Sequence, residues 1–238
     1  MSFTYKRLDW DSRFFNLEII AAHQQIASAD DLVDLASLMR QEQLDLAYLY
    51  TKGPFNLVIP TGFEMILADQ KVTYHKQVVG TTEANPHITD YTQNYANDKL
   101  QMLALESGFY SRFNVDPHFN RQQFEGLYTS WLDASIKKQI ADAVLVYTLG
   151  TAILAFITLS KKNNLGKIGL LAVDPGYRNK GIGKRLLNAA ENWFIKQGLS
   201  QAEVVTQLAN KPACKLYESA GFRLHSVEHV YHVWRKRD

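Results

Sequence analysis

The 238-residue sequence has a single cysteine and no long apolar run. Cys214 has no second cysteine to pair with, so an internal disulfide is excluded and a reduced, cytoplasmic setting is expected. The longest apolar stretch, 152–159, is interrupted by Thr158 and is far shorter than the roughly 20 residues that span a bilayer. Because charges are spread over residues 1–11, we expect neither a signal peptide nor a membrane anchor there.

The residue patterns of metal sites and of nucleic-acid-coating proteins are also lacking. The seven histidines are scattered, HExxH does not occur and spaced Cys/His pairs are absent, so no metal ion is expected. Lys and Arg number 26 against 24 Asp and Glu, and a net charge of +2 is too small for a protein that coats nucleic acid. Hydrophobic residues make up 46% of the chain, which excludes intrinsic disorder and predicts a folded core.

Helix and strand patterns alternate along the chain and predict an α/β protein. Ser28 and Asp31 form a capping-box pattern before the first predicted helix. Helices are predicted at 32–43, 98–107, 124–136, 181–197 and 210–219. Strands are predicted at 46–51, 63–68, 72–79, 143–149, 152–160, 167–174, 203–207, 222–225 and 229–234. The polar stretch 80–86 is the best linker candidate, which predicts an N-terminal unit at 1–84 and a second domain at 85–238.

One segment near the N-terminus is similar to one near the C-terminus. Residues 56–63 end in Gly-Phe and lead to Val-Thr-Tyr-His at 72–75, and residues 215–222 end in Gly-Phe and lead to Val-Tyr-His at 230–232. In both, a strand and a short helix are predicted before the Gly-Phe pair and two strands after it. Either the N-terminal unit is a degenerate copy of the C-terminal half of the second domain, or the match is accidental.

The most informative stretch is 173–187, where an apolar strand leads through a Pro-Gly turn into a basic, glycine-containing loop and then a helix. The first N–H groups of a helix have no partner inside the helix and carry partial positive charge, so they bind phosphate. Gly181 and Gly183 would let a phosphate approach the backbone, and Arg178, Lys180 and Lys184 would add positive charge. The loop is neither a Walker A motif nor a dinucleotide-binding fingerprint. By itself it fits either a pyrophosphate cradle or a solvated basic helix start.

Two motifs in this part of the chain resemble those of the GNAT family of N-acetyltransferases. Residues 178–183, RNKGIG, are similar to the family's R/Q-x-x-G-x-G/A loop, which holds the pyrophosphate of acetyl-CoA. Residues 210–222, NKPACKLYESAGF, are similar to its second motif, N-x-x-A-x-x-x-Y-x-x-x-G-F. The two motifs occur in the family's order and at its usual separation, and the resemblance covers about residues 100–238.

The resemblance implies a fold, a co-substrate and a set of binding residues. The implied fold is the GNAT α/β (α+β) fold, a mixed, mostly antiparallel central sheet flanked by helices, with the N-terminal unit as a smaller, partial repeat. The implied co-substrate is acetyl-CoA, whose pantetheine arm would lie as an extra strand where two sheet strands separate. The residues implied to bind it are Leu171, Ala172, Val173, Arg178, Asn179, Lys180, Gly181, Ile182, Gly183, Lys184, Asn210, Ala213 and Tyr217.

Tyr217 matches the family tyrosine that protonates the departing CoA thiolate, and the Val173 N–H is the implied donor to the thioester oxygen. A tyrosine suits this task because its phenol, with an ordinary pKa near 10, is protonated at neutral pH. The alternative is that Tyr217 only packs its ring and that Asn210 only caps the short helix. No motif marks a general base for the acceptor, and the candidates by position are Glu106, Asp116, His118 and Tyr147.

Residues 8–15 and 111–113 are similar to a bacterial branch of the family that acetylates an amine on a nucleotide-linked deoxysugar. We therefore expect a small-molecule amine as acceptor, with Arg112 as a candidate for its phosphate, since guanidinium groups suit oxyanions. Candidate stacking residues, which could equally be core, are Phe109, Tyr110, Phe113, Tyr128 and Trp131. Other interpretations are a protein or peptide N-acetyltransferase and a catalytically silent CoA-binding regulator. No nucleic-acid or membrane partner is expected, and a homodimer remains open.

Overall fold

The computed structural model describes residues 4–23, 26, 28–80 and 83–236, and the chain divides into two compact units. Unit 1 comprises residues 1–71, 115–118 and 227–238, and unit 2 comprises residues 72–114 and 119–226. Strands β4 (Phe63–Gln77) and β10 (Arg223–Arg235) have residues in both units. Within the described ranges, no helix is long and apolar enough to cross a membrane.

Unit 1 is a small α/β unit whose strands follow the order β1-β2-β3-β10-β4. Strands β2 and β3 are parallel and are joined by helix α2, and β10 runs antiparallel to β3. Apart from β4 and β10, its elements are β1 (Tyr5–Arg7), α1 (Asp9–Phe15), β2 (Ile19–His23), α2 (Ala29–Gln41) and β3 (Leu46–Thr51).

Helix α2 starts and packs as its sequence predicts. Ser28 and Asp31 form a complete capping box, in which each side chain accepts a hydrogen bond from the other residue's backbone N–H. One face of the helix is fully buried against the strands of unit 1, whereas Val33 is exposed and Leu38 is partly buried. Members of this core include Leu32, Leu35, Ala36 and Met39 of α2, Ile20 and Ala22 of β2, and Ala47 and Leu49 of β3.

Unit 2 has the strand order β10-β4-β9-β8-β7-β6-β5. From β5 to β8, each strand pairs antiparallel with the next one along the chain. Strands β8 and β9 are parallel and are joined by helix α6. Its elements are β5 (Ile88–Asp90), α3 (Asp98–Ser107), α4 (Arg112–Val115), α5 (Arg121–Ile136), β6 (Ala143–Leu149), β7 (Ala152–Lys162), β8 (Leu165–Val173), α6 (Ile182–Lys196), β9 (Gln201–Gln207) and α7 (Lys211–Ser219).

Helices cover both faces of the unit 2 sheet. Val144 and Val146 of β6 belong to a buried cluster with α3 and α5. Leu145 lies near α6, and the Tyr147 hydroxyl accepts a hydrogen bond of 3.1 Å from Arg185 on α6. Because successive side chains of a strand point to opposite faces, α3 and α5 lie on one face and α6 on the other. The predicted mixed, mostly antiparallel sheet flanked by helices is therefore confirmed.

Two predicted strand breaks are wrong, because polar residues at these positions have partners within the sheet. The predicted strands 63–68 and 72–79 are one strand, β4, and the strands predicted at 222–225 and 229–234 are one strand, β10. Lys71 Nζ lies 2.7 Å from Glu228 Oε2, and Gln70 Nε2 lies 3.0 Å from His229 Nε2. Polar side chains paired in this way are satisfied without a turn.

The short helix predicted before Gly62 is also wrong. Residues 54–60 have no regular secondary structure, and prolines at both ends of this segment disfavour a helix. The other Gly-Phe pair follows α7, as predicted. The two segments do share a turn at the glycine, since φ is 88° at Gly62 and 86° at Gly221, a conformation that glycine adopts without strain.

Candidate active site

The candidate site lies in unit 2, where the parallel strands β8 and β9 separate. Residues 166–168 pair with residues 202–204, and the pairing ends there. Directly beyond this point β8 carries a bulge, because its register against β7 shifts between Ile157 and Leu159. An extra residue bends a strand and increases its twist, so the bulge accounts for the separation of β8 from β9.

Thr158 of β7 lies opposite this bulge. Its Oγ1 accepts a hydrogen bond of 2.8 Å from the Leu170 N–H, in place of a main-chain carbonyl. A Cβ on Gly169 would lie 2.6 Å from the same oxygen, so a side chain cannot be accommodated there without a shift. The bulge is therefore built from a buried hydroxyl on one strand and a glycine on the next.

The backbone of β8 beyond the bulge directs N–H groups toward the gap. The Leu170 N–H points to β7, as does the Asp174 N–H, which binds the Leu154 carbonyl at 2.8 Å. Successive N–H groups of a strand point to opposite edges. The N–H groups of Leu171 and Val173 are therefore directed to the side from which β9 has separated.

A cleft of about 360 Å³ opens between the separated strands. Several predicted site residues surround it, whereas the predicted Ala172 packs in the core with α3 and α5, and Val173 pairs with Ala155 of β7. Residues around the cleft include Leu170 and Leu171 of β8, Val205, Thr206 and Gln207 of β9, Asn210, Ala213 and Tyr217 next to or on α7, and Tyr128, Trp131 and Ser135 of α5.

The predicted pyrophosphate loop follows β8 and leads into α6. Asp174 accepts a hydrogen bond of 2.8 Å from the Gly176 N–H and contacts the Lys99 ammonium, which holds the pKa of this carboxyl below its ordinary value. Asn179 and Gly181 have φ angles of 61° and 75°. These two left-handed residues turn the backbone into the helix.

The three predicted cations of the loop have different surroundings. Arg178 folds back, so that Nε donates to the Val173 carbonyl at 3.2 Å and Nη2 donates to Glu106 Oε2 at 2.8 Å. The Lys180 ammonium lies 4.6 Å from the centre of the Tyr177 ring, and Lys184 is exposed. Since exposed ion pairs are weak, the Arg178 guanidinium can exchange Glu106 for a phosphate at little cost.

Helix α6 begins at Gly181 without a side-chain cap, so the N–H groups of its first turn have no partner on the cap residue. A Cβ on Gly181 would meet no atom within 4 Å. Gly183, by contrast, is buried, and a Cβ there would lie 3.0 Å from Leu216 Cδ2 on α7. Gly183 therefore packs α6 against α7, a role that the sequence did not suggest, and Ile182 is buried beside it.

Tyr217 is buried on α7 and lines the cleft. Its ring centre lies 5.9 Å from that of Phe222, edge-on, and 6.2 Å from that of Tyr74. Burial raises the pKa of its hydroxyl well above the ordinary value, and the neighbouring Cys214 thiol adds to this effect. The hydroxyl therefore stays protonated through the neutral range and can act as a proton donor.

Asn210 caps α7, since its Oδ1 accepts a hydrogen bond of 3.2 Å from the Ala213 N–H. Asn210 and Ala213 also line the cleft. The capping role is thus present, and the binding of acetyl-CoA by these two residues stays a prediction.

The predicted acceptor residues separate into two groups. Tyr128 and Trp131 line the cleft, and the Tyr128 ring lies so close to Gly108 that a Cβ there would be 2.3 Å from ring carbon Cζ. Phe113 is buried edge-on to Trp131, and the Arg112 guanidinium covers the Phe113 ring at 4.7 Å. Within the described part of the chain, neither Arg112 nor Phe113 is among the residues around this cleft.

None of the four candidate bases is among the described residues that line the cleft. Glu106 pairs with Arg178, and the Tyr147 hydroxyl accepts from Arg185. Asp116 and His118 belong to unit 1. The assignment of a general base stays a prediction.

Asp116 forms a buried polar cluster within unit 1. Its carboxylate accepts hydrogen bonds from His232 Nδ1 at 2.5 Å, Trp234 Nε1 at 2.9 Å and the His118 backbone N–H at 2.9 Å. Burial raises the pKa of Asp116, but these donors outweigh it and lower the pKa to about 2. Such a carboxylate is a fixed structural anion.

Sequence reasoning missed the polar lining of the cleft. No motif marks Thr158, Ser135, Thr206 or Gln207, which all line it. One usable signal was Gly169, because a glycine inside a predicted strand often marks a bulge.

The separated parallel strands and the glycine-led helix beside the cleft are the arrangement that the family resemblance implies for an acetyl-CoA-dependent acyltransferase. The chain belongs to the acetyltransferase (GNAT) family, whose model matches residues 100–222. This confirms the family that the two motifs indicated. Residues 100–222 thus form an acetyl-CoA-dependent N-acetyltransferase domain.

Comparisons with known proteins extend the similarity along the chain. The chain is 24% identical over 232 residues to dTDP-fucosamine acetyltransferase of Escherichia coli O6:H1, which covers 96% of each protein. It is 29% identical over 132 residues to the spore coat polysaccharide biosynthesis protein SpsD of Bacillus subtilis, covering 56% of this chain and less than half, 45%, of that protein. The crystal structure of a GNAT-family protein from Novosphingobium aromaticivorans matches 100% of this chain and 91% of its own, with a TM-score of 0.58 and 18% identity, which shows the fold alone.

The residues present fit acetyl-CoA. The uncapped start of α6 beside Arg178, Lys180 and Lys184 suits a pyrophosphate. The strand edge at Leu171 and Val173 offers backbone donors to a pantetheine arm lying in the gap. Acetyl-CoA, when bound, supplies an activated acetyl thioester.

Proposed function

We propose that this protein transfers the acetyl group of acetyl-CoA to a primary amine of a nucleotide-linked amino sugar. The observation that carries the chemistry is the position of Tyr217, which is buried on α7 and lines the same cleft as Leu171. The acceptor class is supported by the similarity along 96% of the chain to a protein named dTDP-fucosamine acetyltransferase.

The proposed reaction is direct attack of the amine on the thioester carbonyl. The N–H groups of Leu171 and Val173 stabilise the developing oxyanion, since preorganised backbone donors do not have to reorient during the reaction. Tyr217 gives its proton to the sulfur as the carbon–sulfur bond breaks. The amine nitrogen loses a proton to water as the new carbon–nitrogen bond forms, and the tyrosine is reprotonated from solvent. A covalent acyl-enzyme is not needed, and the chain's one cysteine, Cys214, is buried with its Sγ 3.6 Å from the Gln207 carbonyl.

The cleft lining supports a sugar-like acceptor. Tyr128 and Trp131 offer aromatic faces, on which the apolar face of a sugar ring can pack. Thr206, Gln207 and Ser135 add hydroxyl and amide groups that can bind sugar hydroxyls. Arg112, which is not among the described residues around the cleft, stays a sequence-based candidate for the nucleotide phosphates.

The test is a CoA-release assay on the full chain with nucleotide-linked amino sugars, free amino sugars, polyamines and peptides. We expect the highest kcat/KM with a nucleotide-linked amino sugar and a lower value for the same sugar without its nucleotide. Faster turnover of peptides would replace the proposal with a peptide N-acetyltransferase. Tight acetyl-CoA binding without turnover of any amine would replace it with a silent CoA-binding regulator.

A further inference from the structure

Strand β4 carries two lysines with closely similar surroundings, one in each unit. Lys71 Nζ lies 2.7 Å from Glu228 Oε2 and 5.7 Å from the centre of the Tyr50 ring. Lys76 Nζ contacts Glu191 Oε1 and lies 5.8 Å from the centre of the Phe222 ring. Both lysines therefore combine a partly buried ion pair with a cation–π contact.

Lys76 differs from Lys71 in one additional contact. Its Nζ donates to the Ala220 carbonyl at 2.6 Å. Ala220 is the C-cap of α7, and the last carbonyls of a helix have no partner inside the helix and carry partial negative charge. An ammonium at this point satisfies one of these carbonyls and stabilises the end of the helix.

Helix α7 depends on such external contacts because it has only nine residues. Isolated helices shorter than about 12 residues are marginal in water. Asn210 caps its first turn, and the side chains of β4 hold its last turn. Tyr74, two residues before Lys76 and on the same face of β4, donates from its hydroxyl to Glu218 Oε1 at 2.8 Å.

These contacts immediately follow Tyr217 in the chain. The Phe222 N–H donates to the Tyr217 carbonyl at 3.0 Å, and the two rings pack edge-on. Glu191, which holds Lys76 in place, comes from α6 and has a side chain only 10% exposed. Lys76 therefore joins the helix that carries the pyrophosphate loop to the helix that carries the tyrosine.

We propose that Lys76 is a positioning residue for acetyl transfer, which holds the last turn of α7, and with it the Tyr217 hydroxyl, at the cleft. The inference rests on the function proposed for Tyr217. Lys76 itself lies outside the set of described residues that line the cleft, so it acts through α7.

The first experiment compares Lys76→Met with Lys71→Met, because each variant keeps an unbranched side chain and removes one ion pair and one cation–π contact. We expect kcat to fall at least ~fivefold in Lys76→Met while the Kd for acetyl-CoA changes less than ~twofold, since the first turn of α6 and the edge of β8 are untouched. Lys76→Arg should recover most of kcat. Lys71→Met should keep the parent kcat. Equal kcat for both methionine variants would overturn the proposal.

A double-mutant cycle separates positioning from general destabilisation. If Lys76 acts through Tyr217, then Lys76→Met lowers kcat less than ~twofold when Tyr217→Phe is already present. Effects that multiply in the double variant would show that Lys76 acts elsewhere and would overturn the proposal. The proposed function fails differently: if Tyr217→Phe alone turns over at the parent rate, its assignment as general acid is wrong whatever Lys76 does.

Removing Lys76 alone leaves Glu191 as a nearly buried, unpaired charge, which can prevent folding. Lys76→Met combined with Glu191→Gln removes both charges and still deprives the Ala220 carbonyl of its donor. We expect the Lys76→Met, Glu191→Gln variant to show the same fall in kcat, and this fall to be less than ~twofold when Tyr217→Phe is also present. Thermal unfolding confirms that the variant is folded. A parent-like kcat in the folded double variant would overturn the proposal.

Discussion

The crossover β2-α2-β3 of unit 1 and the crossover β8-α6-β9 of unit 2 have the same topology, a parallel pair of strands joined by a helix. They differ at two points. In the first crossover, residues 19–23 of β2 pair with residues 46–50 of β3. In the second, the pairing of β8 with β9 is limited to residues 166–168 and 202–204. Helix α2 begins with the capping box of Ser28 and Asp31, whereas α6 begins at Gly181 with no side-chain cap.

This difference shows how one arrangement of strands and helix serves either stability or binding. In unit 1 the strand edges and the helix start are satisfied inside the protein, and a packed core results. In unit 2 the bulge at Gly169 separates β8 from β9. Gly181 has no side chain to cap α6, so the first N–H groups of this helix stay open. Backbone groups that are left without internal partners at such a point are available to a ligand.

The largest expected effect comes from placing a charge at the open helix start. Gly181→Asp should weaken acetyl-CoA binding about 100-fold, because a carboxylate would face the pyrophosphate in place of open N–H groups. Gly181→Asn is the matched control, since both residues tolerate the left-handed conformation and only one is charged. Calorimetry should show that Gly181→Asn weakens acetyl-CoA affinity about tenfold or less. The difference in affinity between the two variants should become smaller as the salt concentration is raised. Equal affinities for the two variants would contradict a pyrophosphate site at this helix.

Loss of the buried Asp116 charge in unit 1 should lower the free energy of unfolding and leave acetyl-CoA binding unchanged. The pKa of Asp116 is lowered to about 2 in the folded protein, so its stabilisation is present above the ordinary pKa near 4 and is lost as pH falls toward 2. Asp116→Asn should lower the free energy of unfolding at pH 7 by about 2 kcal/mol, and the gap to the parent should shrink between pH 4 and 2. Denaturant unfolding at several pH values measures this, with Asp30→Asn as an exposed control. A gap that stays constant with pH would disprove the role given to the carboxylate.

A change at the cleft of unit 2 should act on chemistry. Tyr217→Phe removes only a hydroxyl, so we expect kcat to fall at least ~tenfold while the binding free energy of acetyl-CoA changes by less than ~1 kcal/mol. The comparison is made at saturating acceptor, with single-turnover kinetics to separate chemistry from product release. A parent-like single-turnover rate would make Tyr217 a packing residue.

The smallest effect is expected at the start of α2, where the capping box already binds the backbone N–H groups. Ser28→Ala removes half of the capping box of α2 and should lower the free energy of unfolding by about 1 kcal/mol. Acetyl-CoA affinity should stay at the parent value, and Ser28→Thr should restore most of the stability. A weakened affinity of Ser28→Ala for acetyl-CoA would contradict the claim that the start of α2 contributes to stability and not to acetyl-CoA binding.

Local patterns were enough to predict much of unit 2. The helix that begins at Gly181 and the short helix with Tyr217 follow from apolar periodicity, from the glycine at the start and from the two family motifs. The three antiparallel strands β6, β7 and β8 follow from turn residues between apolar runs. Each of these features is encoded within a few neighbouring residues.

What the sequence did not predict depends on partners far away along the chain. Strand β4 continues through Lys71 because Glu228, 157 residues later, pairs with it. Gly183 looked like a glycine for phosphate, yet its nearest constraint is Leu216 on another helix. Thr158 has no motif of its own, and its function as an acceptor for the Leu170 N–H exists only once β7 and β8 are paired.

The most direct test of the contrast between the two crossovers is hydrogen–deuterium exchange of the full chain with and without acetyl-CoA. Backbone amides that bind the ligand exchange more slowly when it is present. We predict slower exchange at residues 171–173 and 181–184, and unchanged exchange at residues 28–32 at the start of α2. Protection of residues 28–32, or unchanged exchange at 181–184 with acetyl-CoA bound, would contradict the account.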